Sequence, residues 1–156
     1  MPSVASTDNG RGPIWNHEAS IETSASAETL WRLFEDVAGW PRWNAGIAHI
    51  ALHGAFARGT TFTMGLPDGE AVTSTLTEVS AGVCFTDETV VDGNRVAVAH
   101  LLVPLRHGGT RVTFRTQVDG PDDTAIGPMV SGDFADVLAA LRSFAECEDV
   151  AAAEVS

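Results

Sequence analysis

The chain has no lysine and no tyrosine. Without lysine, no side-chain amine can form a Schiff base with a carbonyl substrate. Without tyrosine there is no phenol to serve as acid, base or oxyanion donor. Positive charge comes only from arginine, nine residues against 21 aspartates and glutamates, for a net charge of −12. Such a surface repels phosphate backbones and anionic headgroups, so neither nucleic acid nor a membrane surface is an expected partner. Cysteine is scarce: Cys84 and Cys147 lie far apart, in no CxxC or Cys/His grouping, which argues against a structural zinc site. Both are expected to be reduced bystanders. No apolar run approaches the roughly 20 residues of a spanning helix. The N-terminal stretch has neither a charged n-region nor a hydrophobic h-region, so cytoplasmic residence is the expectation. GxSxG, P-loop, GxGxxG and HExxH motifs are all missing, and no cofactor is implied.

What is present reads as one domain. With 156 residues, 44% of them hydrophobic, the chain can bury a substantial core. Residues 1–13 are small and polar and predict a disordered lead; 14–148 form the domain; 149–156 predict a disordered tail. Trp15, Ala19 and Ile21 alternate with polar neighbours, the period of a half-buried strand. Ser26 can cap a helix whose apolar stripe is Leu30, Leu33, Phe34 and Val37. A Gly39-Trp40-Pro41 corner and Trp43 follow. Pro41 disfavours helix at Trp40, so the two indoles are expected to stand apart from the first helix and line a cavity mouth.

Strands are predicted at about 46–54, 59–66, 70–79, 82–91, 94–105 and 109–119, between turn signals such as Pro67-Asp68-Gly69 and Asp92-Gly93-Asn94. From Ile126 to Phe144 the period becomes helical. That helix should end near Glu148 and be kinked or loose where Gly127-Pro128 and Gly132 interrupt it. The expected class is α+β: a curved antiparallel sheet of about seven strands wrapped around a long C-terminal helix, with two short helices after strand 1. Such an arrangement tends to leave space for a small ligand.

The order of elements, together with AETLW (27–31), DVAGWPRWN (36–44), HGAFARGTTF (53–62), PLRHGGTRV (104–112) and Gly120-Pro121, resembles the START and birch-pollen-allergen superfamily (SRPBCC), within it the polyketide cyclase/dehydrase-like group. The resemblance covers about residues 14–147. It implies a helix-grip fold, and no single reaction, since carriers, cyclases and receptors share the scaffold.

Candidate chemistry is sparse. His49 and His53, four residues apart on a strand, would be about 13 Å apart, too far to share a metal; no metal is expected. His100 sits mid-strand among apolar residues. A three-residue loop at His107-Gly108-Gly109 would turn His100 inward, opposite Thr116 and beside Phe114. A two-residue Gly108-Gly109 turn would turn it outward. The resemblance favours the inward register. There His100 is either a core histidine bonded to a carbonyl or water, a donor that orients a ligand, or a general acid/base. His17 shares the inner face of its strand, and the resembled fold sets the first and last strands side by side. Of Asp87 and Glu88 one must point inward; Asp87 is favoured, with Arg115 or Arg95 as partner. Asp36 suits a turn or capping role. Trp40, Trp43, Phe62, Met64, Phe114, Phe134 and Leu138 are expected around the space, with Trp43 and Phe134 gating entry.

The leading expectation is a module that encloses a small hydrophobic molecule, aromatic or polyketide- or lipid-like. The excess of acid favours a neutral or cationic ligand. A cyclase or dehydratase using His100 as acid/base is the alternative, and an interaction domain with a filled core is the third reading. A homodimer is left open.

Overall fold

The computed structural model describes residues 14–155; the expected lead, 1–13, lies outside them. The first strand β1 (Trp15–Thr23) is followed by helix α1 (Ala27–Glu35) and a 3-10 helix (Val37–Arg42). Strands β2 (His49–Leu52), β3 (Thr61–Gly65), β4 (Ala71–Ser80), β5 (Cys84–Val91), β6 (Asn94–Pro104) and β7 (Thr110–Asp119) come next, then α2 (Asp123–Ser131) and α3 (Phe134–Val155). The strands form one antiparallel sheet in the order β1-β7-β6-β5-β4-β3-β2. Hairpins connect β2 to β7 in sequence, and only β1 is placed by a long-range pairing, onto β7. A bulge between Leu76 and Glu78 interrupts the β4–β5 ladder and adds local bend.

α1 starts as its sequence demands: the Ser26 side chain accepts a hydrogen bond from Thr29 N at 3.1 Å, and Leu30, Trp31, Leu33 and Phe34 are buried. The corner differs from expectation. Trp40 lies within the 3-10 helix, because the bonds of that turn run to Asp36 O and Trp40 O and need no donor at Pro41. The indoles also fold back on α1. Trp40 Nε1 donates to Phe34 O at 3.0 Å, and the Trp43 ring centroid lies 6.2 Å from that of Phe34. Asp36 has the turn role expected of it, paired with Arg42 at 2.7 Å.

The C-terminal helix is divided. Gly132 and Asp133 separate α2 from α3, and α2 lies so close to β1 that a Cβ on Gly127 would fall 2.3 Å from the Trp15 ring. α3 then runs on to Val155, past Glu148, so residues 149–155 are helical rather than a loose tail. Thr29 Oγ1 donates to Asp149 Oδ1 at 2.6 Å, and Glu146 Oε2 accepts from Thr23 Oγ1 at 2.7 Å. These bonds tie the second half of α3 to the first turn of α1 and to the end of β1.

The core is split. A large cluster joins α1, the 3-10 helix and α3 to Phe62, Leu76, Phe85, Leu102, Val112 and Phe114 of the sheet. A smaller one holds Val96, Val98, Val118 and Ile126. Phe134 packs against both.

Candidate functional site

Between the two clusters lies a cavity of about 540 Å³, within the range of small-molecule sites and far above the volume of a water. A filled core leaves no such space. Trp40 and Trp43 from the corner, Phe62 and Met64 from β3, Phe85 and Asp87 from β5, His100 from β6, Phe114 from β7 and Phe134 from α3 all line it. All but Phe85 are residues the sequence places around the space. Val96 and Val98 also line it, and their parity with His100 was the signal for them. Asp68 and Glu70 at the β3–β4 turn and Asp133 at the α2–α3 break bring carboxylates to the lining; no periodicity marks residues of this kind. Among the described residues no arginine lines the cavity.

Three expected residues stand elsewhere. Leu138 is 1% exposed within the large cluster, one helical turn beyond Phe134 and under the sheet rather than the cavity. Thr116 is fully buried, and its hydroxyl has no partner. His17 is exposed and stacks on Trp15 with centroids 5.9 Å apart. The sheet register explains both. Asp87, Val98, Thr116 and His17 are successive partners on β5, β6, β7 and β1, so His17 stands on the edge strand, about 14 Å across the ladder from Asp87. The β6–β7 loop spans 105–109, since Pro104 pairs with Thr110. This keeps the inward parity of His100 but sets it opposite Phe114, and not opposite Thr116. Thr116→Val is expected to raise stability by about 1 kcal/mol, because the hydroxyl is buried without return; a urea melt that moves the other way would reveal a hidden partner.

The polar part of the wall is built by one hairpin. Asp92 (φ 50°) and Gly93 (φ 80°) make the β5–β6 turn, an Asp-Gly pair in the left-handed conformation that suits a two-residue hairpin. Val91 therefore pairs with Asn94 and Phe85 with His100. Asp87, two residues from Phe85 on the same face, becomes the diagonal neighbour of His100. Asp87 Oδ2 lies 4.0 Å from His100 Nε2, with the two side chains 13% and 11% exposed. The expected arginine partners are engaged elsewhere, Arg95 with Glu88 and Arg115 with Glu18. The pairing that sequence reading missed was present in the Asp92-Gly93 turn.

His100 is held from three sides. Its Nδ1 is 3.2 Å from Phe85 O, so the neutral ring carries its proton on Nδ1 and offers a bare Nε2. The Phe85 ring lies parallel to it, 4.0 Å away, and Phe114 meets it edge-on at 4.7 Å. Burial lowers the imidazole from 6.5 to about 4, against the pull of backbone hydrogen bonds at Phe85 and Val98. Burial raises the Asp87 carboxyl from 3.8 to about 7. Near neutrality the wall thus holds an uncharged imidazole beside a carboxyl poised to ionise.

Other chemistry is thin. Among the described residues no three histidines, cysteines or acids stand close enough to hold a metal. His49 and His53 are exposed, and the His53 ring is hydrogen-bonded to Thr63 Oγ1. Both cysteines are free; burial and the neighbouring Glu78 push the Cys84 thiol up, away from a nucleophilic thiolate. No helix of the described residues is long and apolar enough to cross a membrane.

A seven-stranded antiparallel sheet closed by a C-terminal helix around a cavity defines the helix-grip class, the START and birch-pollen-allergen-like (SRPBCC) superfamily. Within it, the chain belongs to the polyketide cyclase/dehydrase and lipid-transport family, whose model matches residues 15–146. Solved structures agree in fold. A Thalictrum flavum norcoclaurine synthase point mutant, in complex with a transition-state analogue, superposes with a TM-score of 0.71 at 14% identity over 87% of this chain and 96% of its own. Ara h 8.0201 gives 0.70 at 13% over 86% of this chain and 99% of its own. The di-domain aromatase/cyclase StfQ of the steffimycin pathway gives 0.72 at 14%, over 86% of this chain and 51% of its own. No curated protein matches the sequence.

Proposed function

We propose that this chain binds a small hydrophobic molecule, aromatic or polyketide- or lipid-like, in the cavity between the sheet and the C-terminal helices. The observation that carries this reading is the 540 Å³ space walled by aromatic and aliphatic side chains with few polar groups. Apolar burial supplies affinity in such a site and the polar groups set orientation. Trp43 lends its ring to that wall, while its Nε1–H is buried without an acceptor and has no surface open to the cavity. With Asp68, Glu70, Asp87 and Asp133 in the lining and no arginine, a neutral or cationic ligand fits better than a carboxylate. Cytoplasmic residence belongs to the same reading.

A second reading is cyclisation or dehydration of a flexible substrate with His100 as acid/base. One observation favours it: the bare Nε2 of His100 faces a carboxyl 4.0 Å away inside the apolar wall.

Native mass spectrometry of the chain purified from its own host tests the binding reading. One small apolar molecule per chain is expected, released on denaturation. In Trp43→Ala, which removes an aromatic wall of the cavity, its affinity should fall by about tenfold or more, from lost apolar burial. A mass equal to the bare chain, with no apolar compound in the extract, would remove the tight-carrier reading.

A further inference from the structure

We propose that a second cleft, at the end of β1 away from α2, binds a free α-amino acid, the Arg142 guanidinium taking its carboxylate and the Glu146 carboxylate its ammonium group. The cleft has a volume of about 680 Å³ and lies among the last residues of β1, the β6–β7 loop and the middle of α3. It shares no lining residue with the aromatic cavity, so the two sites can be filled and measured separately.

The walls are fixed before any ligand arrives. Gly108 (φ 96°) and Gly109 (φ 84°) turn the β6–β7 loop, and a side chain on Gly109 would run into Thr23 O. Glycine therefore lets this loop lie against the end of β1. Glu146 Oε2 accepts from Thr23 Oγ1 at 2.7 Å and from Ser24 N at 3.3 Å. Thr23 Oγ1 in turn accepts from Ala25 N at 3.1 Å. A carboxylate held in this way loses little freedom when a ligand binds, and its Oε1 has no hydrogen-bond partner among the described residues.

The charges of the cleft do not neutralise one another. Arg142 precedes Glu146 on α3 by four residues, the spacing of a helical ion pair. Glu146 is drawn to β1 instead, and among the described residues Arg142 makes no ion pair. Glu22, the other acid of the lining, is held by Arg111 at 2.6 Å, and His107 is the only further titratable group there. A simple anion would meet the repulsion of Glu146, and a simple cation that of Arg142. A molecule with one charge of each sign escapes both penalties and gains charge-assisted hydrogen bonds at each end. Ser143, next to Arg142, adds a hydroxyl donor for the carboxylate, and Leu105 an apolar surface for the side chain.

The test is titration of the whole chain with L-leucine near neutrality, followed by amide NMR. Isocaproate, which is leucine without its ammonium, and isoamylamine, which is leucine without its carboxylate, are the paired probes. The amides of Ser24, Gly108, Gly109 and Ser143 should shift together with leucine and half-saturate below about 5 mM, with each analogue about tenfold weaker. Glu146→Gln keeps an amide oxygen for Thr23 and Ser24 and removes the charge. It should weaken leucine about tenfold and tighten isocaproate, whereas a merely structural role would weaken both. Arg142→Gln should weaken both. Absence of saturation in this range, an analogue that equals leucine, or loss of both ligands in Glu146→Gln overturns the proposal. Shifts centred on Asp87 and His100 would place leucine in the aromatic cavity and overturn the cleft. Tighter binding of leucylglycine, whose charges stand farther apart, would overturn the free amino acid in favour of a peptide.

Discussion

Asp87→Asn should be more stable than the wild type at pH 8 by about 2–4 kcal/mol and should lose that advantage as the pH falls to 4. The sign follows from linkage. In the folded chain the Asp87 carboxyl keeps its proton up to about pH 7, against 3.8 for the unfolded group. Between those values unfolding releases a proton, so rising pH favours the unfolded chain. Roughly three pKa units are worth about 4 kcal/mol, of which asparagine recovers most, less the cost of its own incompletely bonded amide.

His100 has the opposite dependence. Its folded value of about 4 lies below the unfolded 6.5, so unfolding takes up a proton between those values and stability falls as pH falls. From about pH 4 to 6.5 the two slopes cancel: unfolding moves one proton from Asp87 to His100 with no net uptake. The pair is therefore silent in the wild type and visible only when broken. Asp87→Asn exposes the histidine slope, and His100→Leu exposes the aspartate slope. Urea melts at pH 4, 6 and 8, read as differences from the wild type, check both. Two flat difference curves would mean that neither group is shifted.

Phe85→Ala is expected to cost about 3–5 kcal/mol. Phe85 is fully buried and is the hub of the aromatic cluster. Its ring lies 4.0 Å from His100, 5.0 Å from Phe34, 5.2 Å from Phe56, 5.7 Å from Trp40 and 6.5 Å from Trp31. These neighbours come from α1, the 3-10 helix, the β2–β3 loop and β6, and they cannot all move into one vacancy. Phe85→Leu, closer in volume, should cost less than half as much. Because the Phe85 carbonyl remains in the alanine variant, the His100 tautomer should persist while the ring loses its stacking face. The cavity, which Phe85 lines, should then enlarge toward Trp31 and Phe56 and admit a bulkier ligand. A cost below about 1 kcal/mol would mean that the cluster collapses freely and that Phe85 does not organise it.

Much of this architecture is legible from local signals. The two-residue period of Val96, Val98, His100 and Leu102 marks one face of β6, and in the structure that face is inward. Ser26 announces α1, and the Gly-rich turns bound each strand. Element ends and continuity were less legible. The predicted strand at 46–54 is four residues long, His49–Leu52, because an edge strand keeps only the pairing that β3 offers it. The single terminal helix is two, and the second is tied to α1 by Thr29 and Asp149, which are 120 positions apart.

The sequence by itself determined the class of fold and the aromatic character of the wall, because periodicity and turn chemistry act over a few residues, and it left open which way Asp87 and His100 face. It also carried, in Asp92-Gly93, the register that brings those two side chains together. Only the tertiary structure decided what the inward face meets. Thr116 and His17 share the ladder of Asp87, yet one is sealed beneath the helices and the other lies open on the edge strand, since burial depends on which helix covers which rung. The same holds for proton affinity: desolvation by Phe34, Phe85 and Phe114, brought from three separate elements, sets the protonation of the pair, and no short stretch of sequence contains that enclosure.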